Sequence, residues 1–312
     1  MKNSLYALTC FNHIENISMI TSGLSQACYK VNADNKVYFA KTLHGETETN
    51  IALKAAEQGF CPAIFYHDKN WLVTTFIENE TLALATVNNE KNNVKHNEQK
   101  IHLALRLMSK CHQLNVKPKK LIPEKLIIEL IDKSSCSSNK KGELLHLAEL
   151  ILAPLNTTTN LVCCHGDLNF SNVLIDQRKK TWLVDYECAC LAPVEYDLAM
   201  FIAINNIEKG EVSAIIKFYR QQHAVTVDRQ LLDSYQLYCY LINALWYSNA
   251  CTNIKYHNDN KRNDDNKKLN ALAIQQWRHL NSRLNTEHHQ LLSGLSIKLR
   301  DVLTAFYLSN QT

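Results

Sequence analysis

Leu161-Val-Cys-Cys-His-Gly-Asp-Leu-Asn-Phe-Ser-Asn-Val-Leu-Ile-Asp176, closed by Thr181-Trp-Leu-Val-Asp185, is the stretch on which the fold turns. An apolar run, Leu161 to Cys164, breaks at His165-Gly166-Asp167, and a short polar loop leads to Asn172. A second run, Val173 to Ile175, turns at Gln177-Arg-Lys-Lys180, and a third, Trp182 to Val184, delivers Asp185. Short apolar runs bounded by turn residues predict strands. Three of them in succession aim one histidine, two acids and one amide at a shared point.

The spacing from Asp167 to Asn172 is that of the loop H-x-D-x-x-x-x-N, with Asp185 standing where a second metal-holding acid belongs. In such a loop the first Asp meets the hydroxyl of a phosphoryl acceptor, and the Asn and the later Asp hold magnesium.

Upstream, Ile17 to Ile20 leads into Thr21-Ser-Gly-Leu-Ser-Gln26, and Ala27 to Val31 alternates as a strand. Asn32 to Asn35 is a turn, and Lys36 to Leu43 is a second strand with Lys41 near its end. A loop between strands there suits phosphates, with Ser22, Gly23 and Ser25 as donors. Glu46 to Gln58 has the composition of a helix with Gly59 as its C-cap, and it carries Glu48. Lys41 and Glu48 have the types and order of a phosphate-binding strand lysine held by a helix glutamate. Trp71 to Ile77 reads as a buried strand and then a hinge, where Phe76, Ile77 and Glu78 would offer backbone groups to an adenine.

Beyond the hinge, 98–114 predicts an amphipathic helix with Ile101, Leu105, Met108 and His112 on one stripe, His112 packing at its end. Further helices are expected at 124–133, 142–153, 211–222 and 228–250. Asp197 is placed to cap a helix behind the central loop. Residues 252–268 are polar and turn-rich and read as a loop before two closing helices marked by Leu269 to Leu280 and Leu292 to Phe306.

A formal charge of +4 with scattered basic residues excludes a nucleic-acid footprint. Eleven cysteines without paired C-x-x-C knuckles point away from zinc. No apolar run nears the roughly 18 residues of a membrane span. A reduced, cytoplasmic protein with no membrane partner is the expectation. Nothing in the sequence sets the oligomeric state.

His165-Gly-Asp-Leu-Asn-Phe-Ser-Asn172, Val184-Asp-Tyr-Glu187 and Tyr196-Asp-Leu-Ala199 resemble the aminoglycoside phosphotransferase and choline kinase family. Ser22-Gly-Leu-Ser-Gln26, Lys41, Glu48 and Leu72 to Ile77 fall in the family's order, so the likeness spans about residues 18–205. The Asp-aromatic-Glu form at Asp185-Tyr186-Glu187 looks closer to choline, ethanolamine and thiamine kinases than to antibiotic kinases. The resemblance implies an α+β, two-lobed protein-kinase-like fold. Its small antiparallel-sheet lobe would span 1–77, and its larger, mostly helical lobe 78–312. It implies ATP and Mg2+ as cofactors and a small-molecule alcohol as partner. Asp167 would be catalytic, Asn172 and Asp185 metal-holding, and Lys41, fixed by Glu48, phosphate-binding. A cationic acceptor would be held by some of Tyr186, Glu187, Glu195, Tyr240, Trp246 and Tyr247. Rival readings are an aminoglycoside phosphotransferase, an ATP-binding pseudokinase, a metal-dependent hydrolase and a protein kinase. The hydrolase leaves Asn172 without a part, and the protein kinase lacks its A-P-E landmark.

Overall fold

Alternating side chains build the N-terminal sheet. In the computed structural model Tyr29, Val31 and Ala33 are buried along one strand, and Tyr38 and Ala40 along the next. The structure describes residues 2–20, 26–43, 45–78, 80–85, 93–155, 160–222, 225–254 and 260–287. After a short helix α1 (Lys2–Leu5) come β1 (Ile14–Ile20), β2 (Cys28–Ala33), β3 (Lys36–Thr42), helix α2 (Glu46–Glu57), β4 (Ile64–His67) and β5 (Trp71–Thr75). The strands form an antiparallel sheet of order β1-β2-β3-β5-β4. Asp34 and Asn35 both have positive φ, 51° and 59°, which gives the β2–β3 hairpin the twist its strands need. Leu5, Ile17, Tyr29, Val31, Tyr38, Trp71 and Val73 form the sheet's buried cluster.

The chain continues through β6 (Glu80–Thr81), α3 (Asn93–His112), α4 (Pro123–Lys133), α5 (Ser138–Leu152), β7 (Leu161–Cys164), β8 (Val173–Ile175), β9 (Thr181–Leu183) and β10 (Cys190–Pro193). It ends, among the described residues, with α6 (Val194–Ile204), α7 (Val212–Gln222), α8 (Arg229–Ile254) and α9 (Asn260–Glu287). The fold is thus mixed, with an antiparallel-sheet N-terminal part and a mostly helical C-terminal part. The three runs of the central stretch are strands, as expected. β7 pairs with β10, and β8 lies between β6 and β9.

Packing divides the chain into two compact units. The first comprises Met1–Lys120, Asn160–Asp197 and Glu208–Thr226; the second comprises Leu121–Thr159, Leu198–Ile207 and Val227–Thr312. The sheet and the central loop therefore share a unit. In the second unit α8 and α9 pack along each other, and Gln276 Nε2 of α9 donates to Ala203 O of α6 at 3.0 Å.

Residues 260–268 correct part of the expected loop, and 255–259 lie outside the described residues. α8 runs on to Ile254 and α9 already begins at Asn260. Leu269, Ala273, Trp277 and Leu280 are buried at helical spacing, and a helix anchored by that stripe extends backward through polar residues at little cost. Polar composition marked a solvated helical face as a loop. Ser22, Gly23, Ser25 and the helix marked by Leu292 to Phe306 lie outside the described residues. Among the described residues no helix is long and apolar enough to cross a membrane.

Candidate active site

β7 delivers His165 to a turn that only glycine can make. Gly166 has φ 77°, and a Cβ there would stand 2.3 Å from the carbonyl oxygen of Cys188. Gly166→Ala is therefore expected to lower stability by more than the ~1–2 kcal/mol of a left-handed non-glycine residue, measured by urea unfolding.

The loop beyond is held by its own amides. Asn169 Oδ1 accepts from Ser171 N at 2.7 Å and Asn172 N at 3.2 Å, capping a single turn of 3-10 helix. Asn169 Nδ2 donates to Asp167 Oδ1 at 3.2 Å, and Asn172 Nδ2 donates to Asp167 Oδ2 at 3.1 Å and to its backbone oxygen at 2.8 Å. Both oxygens of Asp167 are thereby oriented. Burial pushes the Asp167 carboxyl up to about 6; His165 and the amides of Asn169 and Asn172 oppose that, and the charge of Asp185 adds to it.

His165 braces this loop. Its Nε2 donates to Val184 O at 3.0 Å, and its Nδ1 accepts from Asp167 N at 3.3 Å. Val184 N in turn donates to Asn172 O at 3.1 Å. The strand entering Asp185 is so tied to both ends of the loop. Asp185 itself sits at φ 69°, a strained conformation of the kind that collects at functional positions.

β3 and α2 bring the cation. Lys41 Nζ donates to Glu48 Oε1 at 2.8 Å and to Asp185 Oδ1, and lies 3.9 Å from Glu187 Oε2. Burial works against the Lys41 charge, but Asp185 and then Glu48 hold its pKa well above the ordinary lysine value. Burial raises the Glu48 carboxyl, and the charge and hydrogen bond of Lys41 oppose that rise. At the hinge, Phe76 N donates to Val37 O at 3.2 Å, and Lys30 Nζ lies 4.5 Å above the Phe76 ring. Ile77 is half-buried and Glu78 exposed.

Lys41, Glu48, Asp167, Asn172, Asp185 and Glu187 thus belong to one network. The acceptor set fares differently. Tyr186 is corrected: it is buried, its hydroxyl donates to Leu183 O at 3.1 Å, and its ring packs on His165, so it offers no face to a ligand. Tyr240 is also corrected, being buried and stacked on His279. Glu195 is buried in the first turn of α6. Trp246 is 42% exposed on α8, edge-on to Tyr247.

Two partnerships escaped the sequence. Gln26 Nε2 donates to Glu187 Oε2 across 161 positions, a pairing that no local spacing announces. Asp197 lies inside the first turn of α6 instead of at its cap. Its oxygens accept from His165 N at 2.9 Å, Gly166 N at 2.8 Å and His112 Nε2 at 2.8 Å. His112 ends α3, buried as expected, with Nδ1 2.6 Å from the Tyr219 hydroxyl.

The model of the phosphotransferase enzyme family matches residues 16–235. Over 80 residues the chain is 29% identical to a protein described as probable choline kinase 2 of Arabidopsis thaliana, a match covering 25% of this chain and 23% of that protein. A choline/ethanolamine kinase family protein from Mesorhizobium loti superposes with a TM-score of 0.67 at 16% identity, over 98% of each chain. A crystal structure of LicA in complex with AMP gives a TM-score of 0.63 at 15% identity, over 88% of this chain and 96% of that one. At these identities the structural likeness is one of fold.

Proposed function

Because the chain belongs to the phosphotransferase enzyme family, we propose that it transfers the γ-phosphoryl group of ATP to the hydroxyl of a small cationic alcohol, with choline or thiamine the preferred acceptors. The observation that carries this reading is the convergence of Lys41, Glu48, Asp167, Asn172 and Asp185 in one unit, each held by a named partner. The relatives described as a probable choline kinase and as a choline/ethanolamine kinase family protein support the acceptor class.

The donor set suits a hard divalent cation. Asp185 brings a carboxylate, and the Asn172 amide hydrogens are taken up by Asp167, which leaves its Oδ1 as the coordinating atom. Mg2+ held there would neutralise charge on the β- and γ-phosphates. Lys41, with Glu48 behind it, would bind the phosphates, and the backbone at Phe76 to Glu78 would receive the adenine. Asp167 would orient the acceptor hydroxyl and take its proton, a task for which a carboxyl raised toward neutrality is well matched. The hinge then divides a nucleotide lobe, 1–77, from a substrate lobe, 78–312. A cationic head group would find Glu187 beside Lys41 and Asp185.

Purified protein with Mg-ATP and a panel of choline, ethanolamine, thiamine and kanamycin tests the acceptor. Turnover of choline or thiamine, with kanamycin inert, is expected. Turnover of kanamycin alone would refute the preference.

A further inference from the structure

Lys41 reaches beyond the glutamate that anchors it. Its Nζ is shared by Glu48, at 2.8 Å, and Asp185, and Glu187 stands 3.9 Å away. Gln26 donates to that same Glu187 oxygen and keeps the third carboxylate beside the lysine. One ammonium therefore faces three carboxylates. The lysine side chain is 6% exposed, whereas Asp185 and Glu187 keep 30% and 23% of theirs in reach of solvent. A site so charged draws a divalent cation and repels a phosphate chain that arrives without one.

Asp185 has two suitors for its Oδ1. Its hard oxygens are what a divalent metal needs, yet in this structure Lys41 is the cation paired with it. The converse conflict holds for the lysine, two of whose three N–H donors are committed to Glu48 and Asp185 instead of a phosphate. Glu48 can stay with the lysine throughout, because that pair is buried and separate from the exposed side of Asp185.

We propose that Lys41 is a place-holder for the metal: it neutralises Asp185 while the site is free of nucleotide, and it passes to the phosphates when a divalent cation takes the carboxylate. This rests on the functional reading above, in which Asp185 holds metal and Lys41 holds phosphate. Gln26 and Glu187 act as positioning residues that keep a second negative charge at the point of exchange. The handover makes metal and nucleotide binding reciprocally favourable, since each ligand removes what opposes the other. Lys41 passes to the phosphates as an ammonium, so the handover transfers a charge and no proton.

The test separates the two affinities. Mn2+ binding to nucleotide-free protein is followed by electron paramagnetic resonance of the free ion, and MgADP binding by calorimetry. In Lys41→Gln, Mn2+ alone is expected to bind about tenfold tighter, because the carboxylate has lost its competitor, while MgADP binds at least about tenfold weaker. Mn2+ affinity that stays the same or falls overturns the proposal. Should Lys41→Gln fail to fold, the wild type answers. Mn2+ alone must speed acylation of Lys41 by an amine-reactive ester, read by peptide mass spectrometry, and MgADP must slow it. An unchanged rate with bound Mn2+ sinks the place-holder alone. A wild type that binds neither Mn2+ nor MgADP sinks the functional reading with it.

Discussion

Asp167→Asn is expected to keep its fold and its affinity for MgADP while turnover of the accepted alcohol falls by about 10²–10⁴-fold, the usual contribution of a positioned acid–base group. The substitution is nearly isosteric. Asn169 and Asn172 donate to separate oxygens of Asp167, so the variant keeps one of these bonds and turns the other into a confrontation of two amides. The backbone bond from Asn172 Nδ2 to residue 167 remains. Stability should hold or rise. The Asp167 carboxyl is pushed up to about 6 by burial, so between the ordinary carboxylate range and that value the folded form binds a proton that the unfolded form has released. Stability contributed by this group is therefore present at acid pH and lost as pH rises through about 6. An uncharged Asn does not suffer that loss. Steady-state rates, calorimetry and urea unfolding at pH 5 and 8 check the three parts. Turnover within a few fold of the wild type would remove Asp167 from the chemistry.

The sequence exposed what is local and hid what is remote. His165, Asp167 and Asn172 were legible because a strand, a glycine turn and a short loop fix their spacing within the chain. Lys41 and Glu48, seven positions apart, were legible because a strand end and the next helix start are read by the same rules. Lys41 with Asp185 is a different case, since 144 positions separate them and the contact is set by packing alone. β4 was missed because its four residues, Ile-Phe-Tyr-His, become a strand only by pairing with β5. Tyr186 was misjudged for a related reason. A residue between two site acids can point either way, and Tyr186 points inward, where its ring packs on His165.

Asp197→Ala should cost about 3–5 kcal/mol, the range for removing one partner of a buried ionic group. Three donors converge on this one fully buried carboxylate: His165 N, Gly166 N and His112 Nε2. With alanine there, two backbone N–H groups and a ring N–H lose their acceptor in a place no bulk water reaches, at about 1–3 kcal/mol for each buried group left unpaired. The same loss frees the turn at Gly166, so the Asp167 loop should lose its set position as well. Asp197→Asn supplies one oxygen and opposes the remaining donors with an amide, which places it between the two. The pH dependence has the opposite sign to that of Asp167. Burial alone would raise the Asp197 carboxyl, but the hydrogen bond from His112 and the Gly166 N–H hold it below its ordinary value. A depressed acid contributes stability that is complete above the unfolded carboxylate pKa and is lost only as pH falls through its own, lower value. Urea midpoints should therefore separate wild type from Asp197→Ala by the same margin at pH 7 and pH 5, and the gap should close only in stronger acid. A gap already closed at pH 5, or a cost below about 1 kcal/mol, would mean that the loop is held by something other than Asp197.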